Sequence, residues 1–476
     1  MDGKSPWLKI HMPDGGLYTL SQWTIDEERN TISGRGSHLD FRRVEVATGM
    51  FTVGMDSVSI LESNEVQTSG AAAGLTVLTI VSAAVGLYCL TNPKACFGSC
   101  PTFYLPDQQG EPRLMAEGFS ASVAPRLEAT DLDALFVSGP ARGNVTVTMT
   151  NEALETHVVR RVDLLAVPQT AGKRVLAAQD GTWWEASHIT PADRSRGPEG
   201  DCSALLSACD LDERTSLADS LYLGAKEVVE LEFSAPPSGP LGLIVASRHS
   251  LLSTYLFYQG LAYLGEAAAP SLARVSGSCE TDAGSNAMGD MLGRIEVQAP
   301  QSDGTWLTVG SVGETGPLAV NVHMLRLPPS AVEGPVRLRL RLTKGNWRLD
   351  YVALAALEQP VEPRRIPPVA ILRDGFDDSE ALAALTDPAK TLVTFPGDRY
   401  ELVYPLPEVD GDWEIFLESR GYYLEWMRQE WLAEEDPAMA ALMFKRPRLA
   451  LGYLAPLFKE LEPGMEAHFW GSRYAP

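Results

Sequence analysis

The segment Val336-Arg-Leu-Arg-Leu-Arg-Leu342 decides the fold class of this chain. Successive side chains of a β-strand point to opposite faces of the sheet. The four aliphatic side chains therefore lie on one face, and Arg337, Arg339 and Arg341 lie on the other. This pattern predicts a strand with one face in a core and one in water. Because Val145-Thr-Val-Thr-Met-Thr150 alternates in the same way, we expect a mainly β protein.

The tetrapeptide Asp-Gly-Thr-Trp occurs twice, at Asp180–Trp183 and at Asp303–Trp306. Each copy lies between strand-like runs, where Asp-Gly supplies the positive φ angles of a tight hairpin. We interpret the repeat as a shared turn rather than a functional repeat. The spacing of strands and turns from Leu292 to Leu357 predicts a β-sandwich or jelly roll, an architecture often used for binding.

One long stretch carries no charge and departs from the β pattern. Its centre, residues 71–90, is long enough at about 1.5 Å per residue to cross a hydrocarbon core of about 30 Å. Its Ser and Thr hydroxyls can bond back to their own helix. We therefore predict a transmembrane helix, with a buried globular helix as the alternative. The side chains expected in lipid are Ala71, Leu75, Leu78, Ile80, Val81, Val85 and Leu87.

Changes in composition and Pro-rich stretches divide the chain into six predicted parts. They are a small β domain at 1–65, the transmembrane helix at 66–93, a β-rich extramembrane domain at 94–285, a β-sandwich-like domain at 286–358, a Pro-rich linker with strands at 359–412, and a short helical region at 413–476. The last prediction rests on aromatic and Leu residues at helical spacing. Its tryptophans suit either a core or a partner surface, the candidates for the surface being Trp426, Trp431 and Trp470.

The charge balance argues against some partners. The chain has 62 acidic and 39 basic residues, a net charge of −23. Such a surface repels phosphate backbones, so we expect no nucleic acid partner. The first residues contain no apolar run typical of a signal peptide, so residues 71–90 would have to act as an internal signal-anchor.

The cysteines bear on the cellular compartment. Cys96 lies close to Cys100 and Cys202 close to Cys209, spacings that suit local disulfides in an oxidising compartment. Zinc binding and free buried cysteines are the alternatives to disulfides. The charges flanking residues 71–90 instead favour a cytoplasmic C-terminal part, on a margin of two cations. We expect a single-pass inner-membrane protein whose large C-terminal part is periplasmic.

The search for chemistry gives few candidates. The seven histidines are scattered, and neither a Gly-x-Ser-x-Gly elbow nor a phosphate-binding loop occurs. We therefore predict no catalytic residues and no cofactor. Two acidic clusters, one at Asp374, Asp377 and Asp378 and one at Asp410 and Asp412, suit either calcium or ordinary solvated turns, so the metal question stays open.

Several sequence blocks resemble a family of envelope proteins and lipoproteins from Gemmatimonadota- and Bacteroidota-type bacteria. They include Lys94-Ala-Cys-Phe-Gly-Ser-Cys-Pro-Thr-Phe-Tyr104 and Ser419-Arg-Gly-Tyr-Tyr-Leu-Glu-Trp426. The resemblance covers residues 7–135 and recurs at 346–354. It implies no activity and no catalytic residues. Unlike the lipoprotein members, this chain has no lipobox cysteine near its start.

Two hypotheses of function follow. The first is a non-catalytic, single-pass membrane-anchored scaffold whose partners are lipid and the other subunits of a membrane complex. The resemblance makes an accessory subunit of a bacterial photosynthetic reaction-centre and light-harvesting complex a concrete candidate. With no histidine in the span to ligate a pigment, such a role would be structural. The second is an envelope carbohydrate- or ligand-binding protein, or a carbohydrate-active one, that uses the sandwich at 292–357.

Overall fold

A computed structural model gives the structure of the protein. It describes residues 5–12, 16–26, 28–40, 44–58, 60–63, 100–107, 109–135, 143–269, 271–272, 287–313, 316–329, 335–408, 412–426 and 432–471, with side chains except at 287, 288, 290 and 466–471. The prediction of a mainly β protein is confirmed, since strands make up 51% of the described residues and helices 19%.

The first strands form an antiparallel sheet of their own. They are β1 (Trp7–His11), β2 (Leu17–Asp26), β3 (Thr31–Leu39), β4 (Glu45–Gly54) and β5 (Ile60–Ser63). The sheet has the order β4-β3-β2-β1-β5. Alternating apolar side chains form its small core, at Leu8, Ile10, Leu20, Ile32 and Val53.

The rest of the chain builds two sandwiches, one inserted into the other. The outer sandwich begins with β6 (Thr102–Pro106), β7 (Pro112–Glu117), β8 (Ala129–Leu135), β9 (Asn144–Thr150) and β10 (Glu155–Gln169). The inserted strands are β11 (Arg174–Ala177), β12 (Trp183–Pro191), β13 (Arg194–Gly197), β14 (Gly200–Asp201), β15 (Arg214–Thr215), β16 (Lys226–Phe233), β17 (Leu241–His249), β18 (Ile295–Pro300), β19 (Trp306–Val312), β20 (Asn321–Arg326), β21 (Val336–Thr343) and β22 (Trp347–Pro360). The outer sandwich ends with β23 (Arg364–Ile366), β24 (Ala370–Arg373), β25 (Phe376–Asp377), β26 (Leu392–Thr394), β27 (Arg399–Pro405) and β28 (Asp412–Glu425).

In the outer sandwich, the sheet β25-β24-β27-β9-β6-β7 faces the sheet β23-β10-β28-β8, to which β26 adds beside β10. Phe103, Val147 and Tyr404 from the first sheet share a core with Leu164 and Leu417 from the second. The long pairing of β10 with β28 runs from Glu155↔Glu425 to Gln169↔Asp412. Strands β10 and β28 can therefore pair, and complete the outer sandwich, only after the whole insertion has been synthesised.

The inserted sandwich stacks the sheet β11-β12-β22-β17-β20 on the sheet β14-β13-β16-β21-β18-β19. The predicted alternation of β21 is confirmed, because its four aliphatic residues are at most 1% exposed. They share a core with Val245, Leu349 and Val352 of the facing sheet. Strands from both sides of the predicted boundary at 285/286 contribute to each sheet, so the sandwich is wider than residues 292–357.

The two Asp-Gly-Thr-Trp copies form the same turn, as predicted. In each copy the Asp carboxylate accepts hydrogen bonds from both the backbone N–H and the hydroxyl of the Thr two residues later. Gly181 and Gly304 take φ values of 81° and 83°. Hydrogen bonding to the Thr lowers the pKa of both Asp180 and Asp303. The repeat therefore encodes backbone geometry.

The helices are α1 (Leu251–Leu264), α2 (Ala287–Leu292), α3 (Ser379–Thr386), α4 (Pro437–Lys445) and α5 (Pro447–Gly471). Short 3-10 turns occur at Met55–Ser57, Pro125–Leu127, Ala204–Leu206 and Gly265–Ala267. Helices α1, α4 and α5 pack together through Leu252, Tyr255, Met443, Leu454 and Phe458.

The predicted helical region at 413–476 is wrong in its first part. Residues 412–425 form β28; described helical residues appear only from Leu432 onward, and α4 begins at Pro437. Ile415 and Leu417 face the sandwich core, whereas Phe416 faces a second apolar cluster with Trp183. A strand buried on both faces has no polar side, so its apolar run is easily read as a helix.

No helix within the described parts of the chain is long and apolar enough to cross a membrane. The predicted span at 66–93, with all seven of its predicted lipid-facing side chains, lies outside the described residues. The transmembrane helix therefore stays a prediction.

Candidate functional site

A cavity of about 480 Å³ lies where the two sandwiches meet. Strands β7 and β8 of the outer sandwich line one side, and the β11-β12-β22-β17-β20 sheet and its loops line the other. Most of the wall is apolar. The lining residues are Arg113, Leu114, Met115, Ala134, Arg174, Leu176, Ile189, Ser207, Ala208, Cys209, Leu211, Ile244, Ala319, Val320, Val322 and Tyr351.

The two arginines of the cavity differ in their partners. Arg174 on β11 donates from Nε and Nη2 to both oxygens of Glu414 on β28, at 2.5–3.0 Å. This ion pair neutralises Arg174 and joins the two sandwiches. Arg113 on β7 has no ion pair with any described residue. Since a guanidinium is always charged in proteins, Arg113 brings an uncompensated positive charge to the cavity.

A second polar group in the wall is formed by Cys209 and Tyr351. The Oδ1 atom of Asp350 accepts from the backbone N–H of Leu211 at 2.8 Å, which holds the loop that carries Cys209. The protein packed around Cys209 raises the pKa of its thiol, and Asp350 adds to the rise. Burial likewise raises the pKa of Tyr351. Both groups stay protonated at neutral pH, so the Cys209 thiolate that nucleophilic chemistry requires is suppressed.

A buried polar cluster lies beside the cavity, on the continuation of β7. The Cys100 thiol donates to Oε1 of Glu117 at 3.0 Å, and the Leu318 N–H donates to Oε2 at 2.7 Å. The Cys100 N–H donates to Oε1 of Glu155, which also contacts Nε2 of His157 at 2.6 Å. Glu117, Glu155 and His157 are each at most 3% exposed. Because Leu318 belongs to the inserted sandwich, Glu117 is a second link between the sandwiches.

The environment shifts the titration of this cluster. Burial raises the pKa of Glu117 to about 7, opposed by its hydrogen bonds to Cys100, Leu318 and Ala319. Burial lowers the pKa of His157 to about 3. The imidazole is therefore neutral at physiological pH, and its Nδ1 atom has no hydrogen-bond partner among the residues that the structure describes. These groups are fully enclosed, so we assign the cluster a structural role and the cavity the binding role.

The structure describes three of the four cysteines in the predicted disulfides. Cys202 and Cys209 are both free thiols in the structure, so the predicted bond between them is not formed in it. Cys202 is buried among the core residues of the inserted sandwich, whereas Cys209 is exposed at the cavity. Cys96, the predicted partner of Cys100, lies outside the described residues.

Of the three tryptophans predicted to form a partner surface, the structure describes the side chain of Trp426 alone. Trp426 is half-buried, and its Nε1 atom donates to the Thr156 hydroxyl at 2.9 Å. Trp431 and the side chain of Trp470 lie outside the described part of the structure. Their role stays a prediction.

The described residues of the acidic clusters lie in a turn, in strands and at a helix N-terminus, with Asp377 in β25 and Asp412 in β28. Asp378 caps α3 by accepting from the Ala381 N–H at 2.9 Å, and Asp374 takes a positive φ in the turn between β24 and β25. Asp410 lies outside the described residues. Among the residues described, no group of three or more His, Cys, Asp or Glu side chains is arranged to hold a metal ion.

Sequence reasoning missed the residues that distinguish the site. Arg113 is one of the two cations that follow the predicted span, and Glu117 lies within the range 7–135 that the family resemblance covers, but neither was predicted to belong to a site. One signal was available: Glu117 follows an apolar strand at a position whose neighbours are buried, and a carboxylate there must be paired or protonated. The contact of β7 with the inserted sandwich had no local signal.

No protein-family model and no curated protein matches the chain. Among solved structures, the chain is similar at 7% identity to BuGH86wt in complex with neoagarooctaose, over 48% of this chain and 33% of that one, with a TM-score of 0.16. It is similar at 8% identity to BpGH86A, a β-porphyranase of glycoside hydrolase family 86 from the human gut bacterium Bacteroides plebeius, over 49% of this chain and 37% of that one, also with a TM-score of 0.16.

The chain thus spans only 33–37% of the length of these proteins. At this TM-score the similarity supports no statement about fold or activity. The resemblance to the envelope protein family stays a prediction.

Proposed function

We propose that this protein binds a small amphipathic carboxylate in the cavity between its sandwiches. The observation that carries the proposal is that Arg113, in a mostly apolar wall, has no ion pair with a described residue. A volume of about 480 Å³ suits a small organic ligand, and ligand sites combine apolar walls with a few polar groups. The apolar wall would hold the ligand's hydrocarbon part and Arg113 its carboxylate.

The protonation of the other polar groups supports this orientation. The Tyr351 hydroxyl and the Cys209 thiol remain neutral donors, so neither repels an anion. Arg174 is already neutralised by Glu414 and therefore contributes shape rather than charge. A charge-assisted hydrogen bond contributes about 1.5–3 kcal/mol, which corresponds to roughly a tenfold to hundredfold preference for a carboxylate over a neutral group.

The proposal is tested by calorimetric titration with decanoate and with decan-1-ol, which share a chain and differ in charge. We expect decanoate to bind at least tenfold more tightly than the alcohol. Arg113→Gln should remove this preference, and Val322→Trp, which fills the cavity, should weaken both ligands. Arg126→Gln removes an exposed arginine outside the cavity and serves as the matched control. Equal binding of both ligands to the unmodified protein would refute the proposal.

The carbohydrate form of the sequence-based hypothesis has weaker geometric support. Trp306 on β19 is the aromatic side chain best placed on the outer sheet of the inserted sandwich, but the Arg339 guanidinium lies over its ring at 4.5 Å from the centroid. That ring face is therefore unavailable for stacking on a sugar. A glycan array on the intact protein tests this alternative directly.

The membrane-anchored scaffold remains a separate proposal that rests on residues 66–93 alone. Neither the cavity nor the described helices support it. The decisive measurement is whether the intact chain partitions into detergent and co-purifies with the other subunits of a membrane complex; a chain that stays in the aqueous phase and runs alone would refute it.

A further inference from the structure

An exposed apolar stripe runs along helix α5. Leu449, Tyr453, Leu457 and Leu461 follow one another at intervals of four residues and are 47–65% exposed. The opposite face of the helix, which carries Leu451, Leu454 and Phe458, is fully buried against α1 and α4. A helix packed on one face therefore also presents a second apolar face to solvent, which is typical of a docking surface.

The C-terminal half of this stripe borders an open groove of about 470 Å³ between α1 and α5. Tyr255 and Tyr263 of α1 line it together with Leu457 and Leu461 of α5. Aromatic and Leu side chains on two helices form the kind of groove into which an amphipathic helix inserts its apolar side chains.

The groove also carries four carboxylates, at Glu434, Glu435, Asp436 and Glu460. Three of them accept hydrogen bonds from neutral groups. The donors are the Gln259 amide to Glu434, the Glu266 N–H to Glu435, and the first N–H groups of α4 to Asp436. Within the described part of the chain, none of the four forms an ion pair with Lys or Arg.

The pKa values of the tyrosines that line the groove respond to the same negative charges. Burial is the main cause of the raised pKa of Tyr263, and Glu434 and Asp436 add to it. Charge complementarity therefore selects a cationic occupant. It also argues against an anionic membrane surface, which the four carboxylates would repel.

We propose that the groove between α1 and α5 docks a basic amphipathic helix of a partner protein. Its apolar side chains would pack on Leu457, Leu461 and Tyr263, and its Lys or Arg side chains would pair with the carboxylates at the rim. This surface is separate from the cavity between the sandwiches, so its test is independent of the carboxylate-binding proposal.

The probe is a fluorescent peptide of about four helical turns with leucine at every third or fourth position and lysine elsewhere. Its matched control replaces each lysine by glutamate. Fluorescence anisotropy with the full chain should show saturable binding of the basic peptide only. Leu457→Asp should weaken binding at least tenfold, whereas Leu307→Asp, at an exposed site on β19, should not.

The double variant Glu434→Lys/Glu460→Lys should weaken binding at least fivefold at low salt, and the loss should shrink as salt is raised. Glu362→Lys/Glu408→Lys makes the same change in net charge at exposed positions outside the groove and should leave affinity unchanged. Circular dichroism checks that each variant is folded.

Four outcomes would overturn the proposal: no binding of the basic peptide, equal binding of the acidic one, equal losses in the control variants, or binding to anionic vesicles that Leu457→Asp abolishes. Dimerisation of the unmodified chain that Leu457→Asp abolishes would assign the surface to a second copy and would likewise overturn it.

Discussion

Glu117 should make the stability of the outer sandwich depend on pH in the direction opposite to an ordinary carboxylate. Its pKa in the folded protein is about 7 because it is buried, whereas in the unfolded chain it has the ordinary glutamate pKa of 4.5. Between these values the folded state retains a proton that the unfolded state loses. Stability from this group is therefore fully present below pH 4.5 and is lost as pH rises through 7.

The size of the effect follows from the shift. At about 1.4 kcal/mol per unit, the displacement corresponds to about 3 kcal/mol in total, of which about 2.5 kcal/mol falls between pH 5 and pH 8. Glu117→Gln mimics the protonated acid, and its amide oxygen can still accept from the Leu318 N–H. We expect its free energy of unfolding, relative to the unmodified protein, to rise by about that amount over this range.

The assay is urea unfolding followed by tryptophan fluorescence at pH 5, 6, 7 and 8. Asp133 and Glu155 are buried near Glu117 and are present in both proteins, but Glu117 adds to the raised pKa of Asp133 and Glu155 adds to that of Glu117. The difference between the two proteins therefore reports Glu117 together with its coupling to these two acids. Glu408→Gln, at an exposed position, controls for the loss of one carboxylate. Parallel stability profiles for Glu117→Gln and the unmodified protein would show that Glu117 has an ordinary pKa and would refute the reasoning.

Three further predictions concern other polar contacts. Arg214→Met should lower the free energy of unfolding by about 3 kcal/mol or more, because it leaves the buried carboxylate of Glu227 without its cation. Adding Glu227→Gln should restore part of this loss. Urea unfolding measures the stability of both variants. Gly181→Ala and Gly304→Ala should each cost about 1 kcal/mol in the same assay, since both positions need a positive φ and an added Cβ meets no atom within 4 Å. Arg174→Gln/Glu414→Gln removes the ion pair without changing the net charge, so it should weaken decanoate and decan-1-ol by the same factor in calorimetry; a loss specific to decanoate would contradict this.

The secondary structure of the strands was predictable because its signal is local. The alternation in β21 and the paired Asp-Gly-Thr-Trp turns can be recognised within ten residues of sequence. The order of strands in the sheets has no such signal. β10 pairs with β28 across an insertion that includes β11 to β22, and nothing in either strand identifies the other as its partner.

The same limit explains which site residues sequence reasoning missed. Cys209 was singled out for its spacing from Cys202, and the structure instead places it against Asp350 in the cavity wall. Arg113 and Tyr351 come together only because the inserted sandwich docks against β7. A site formed between two elements that are distant in sequence depends on the tertiary fold, so a motif search cannot find it.

The contrast between the charge of the whole chain and that of its cavity shows what composition can exclude. A net charge of −23 disfavours large polyanions, whose binding depends on many phosphate contacts spread over a surface. A single small carboxylate is different, because charges more than about 8 Å away are screened at physiological ionic strength. The local charges then decide: at the cavity Glu414 cancels Arg174, Arg113 has no ion pair with a described residue, and the carboxylates of Asp350 and Asp210 lie near enough to Cys209 to raise the pKa of its thiol. An acidic protein can therefore select an anion wherever its fold leaves one arginine without a counter-ion beside an apolar wall.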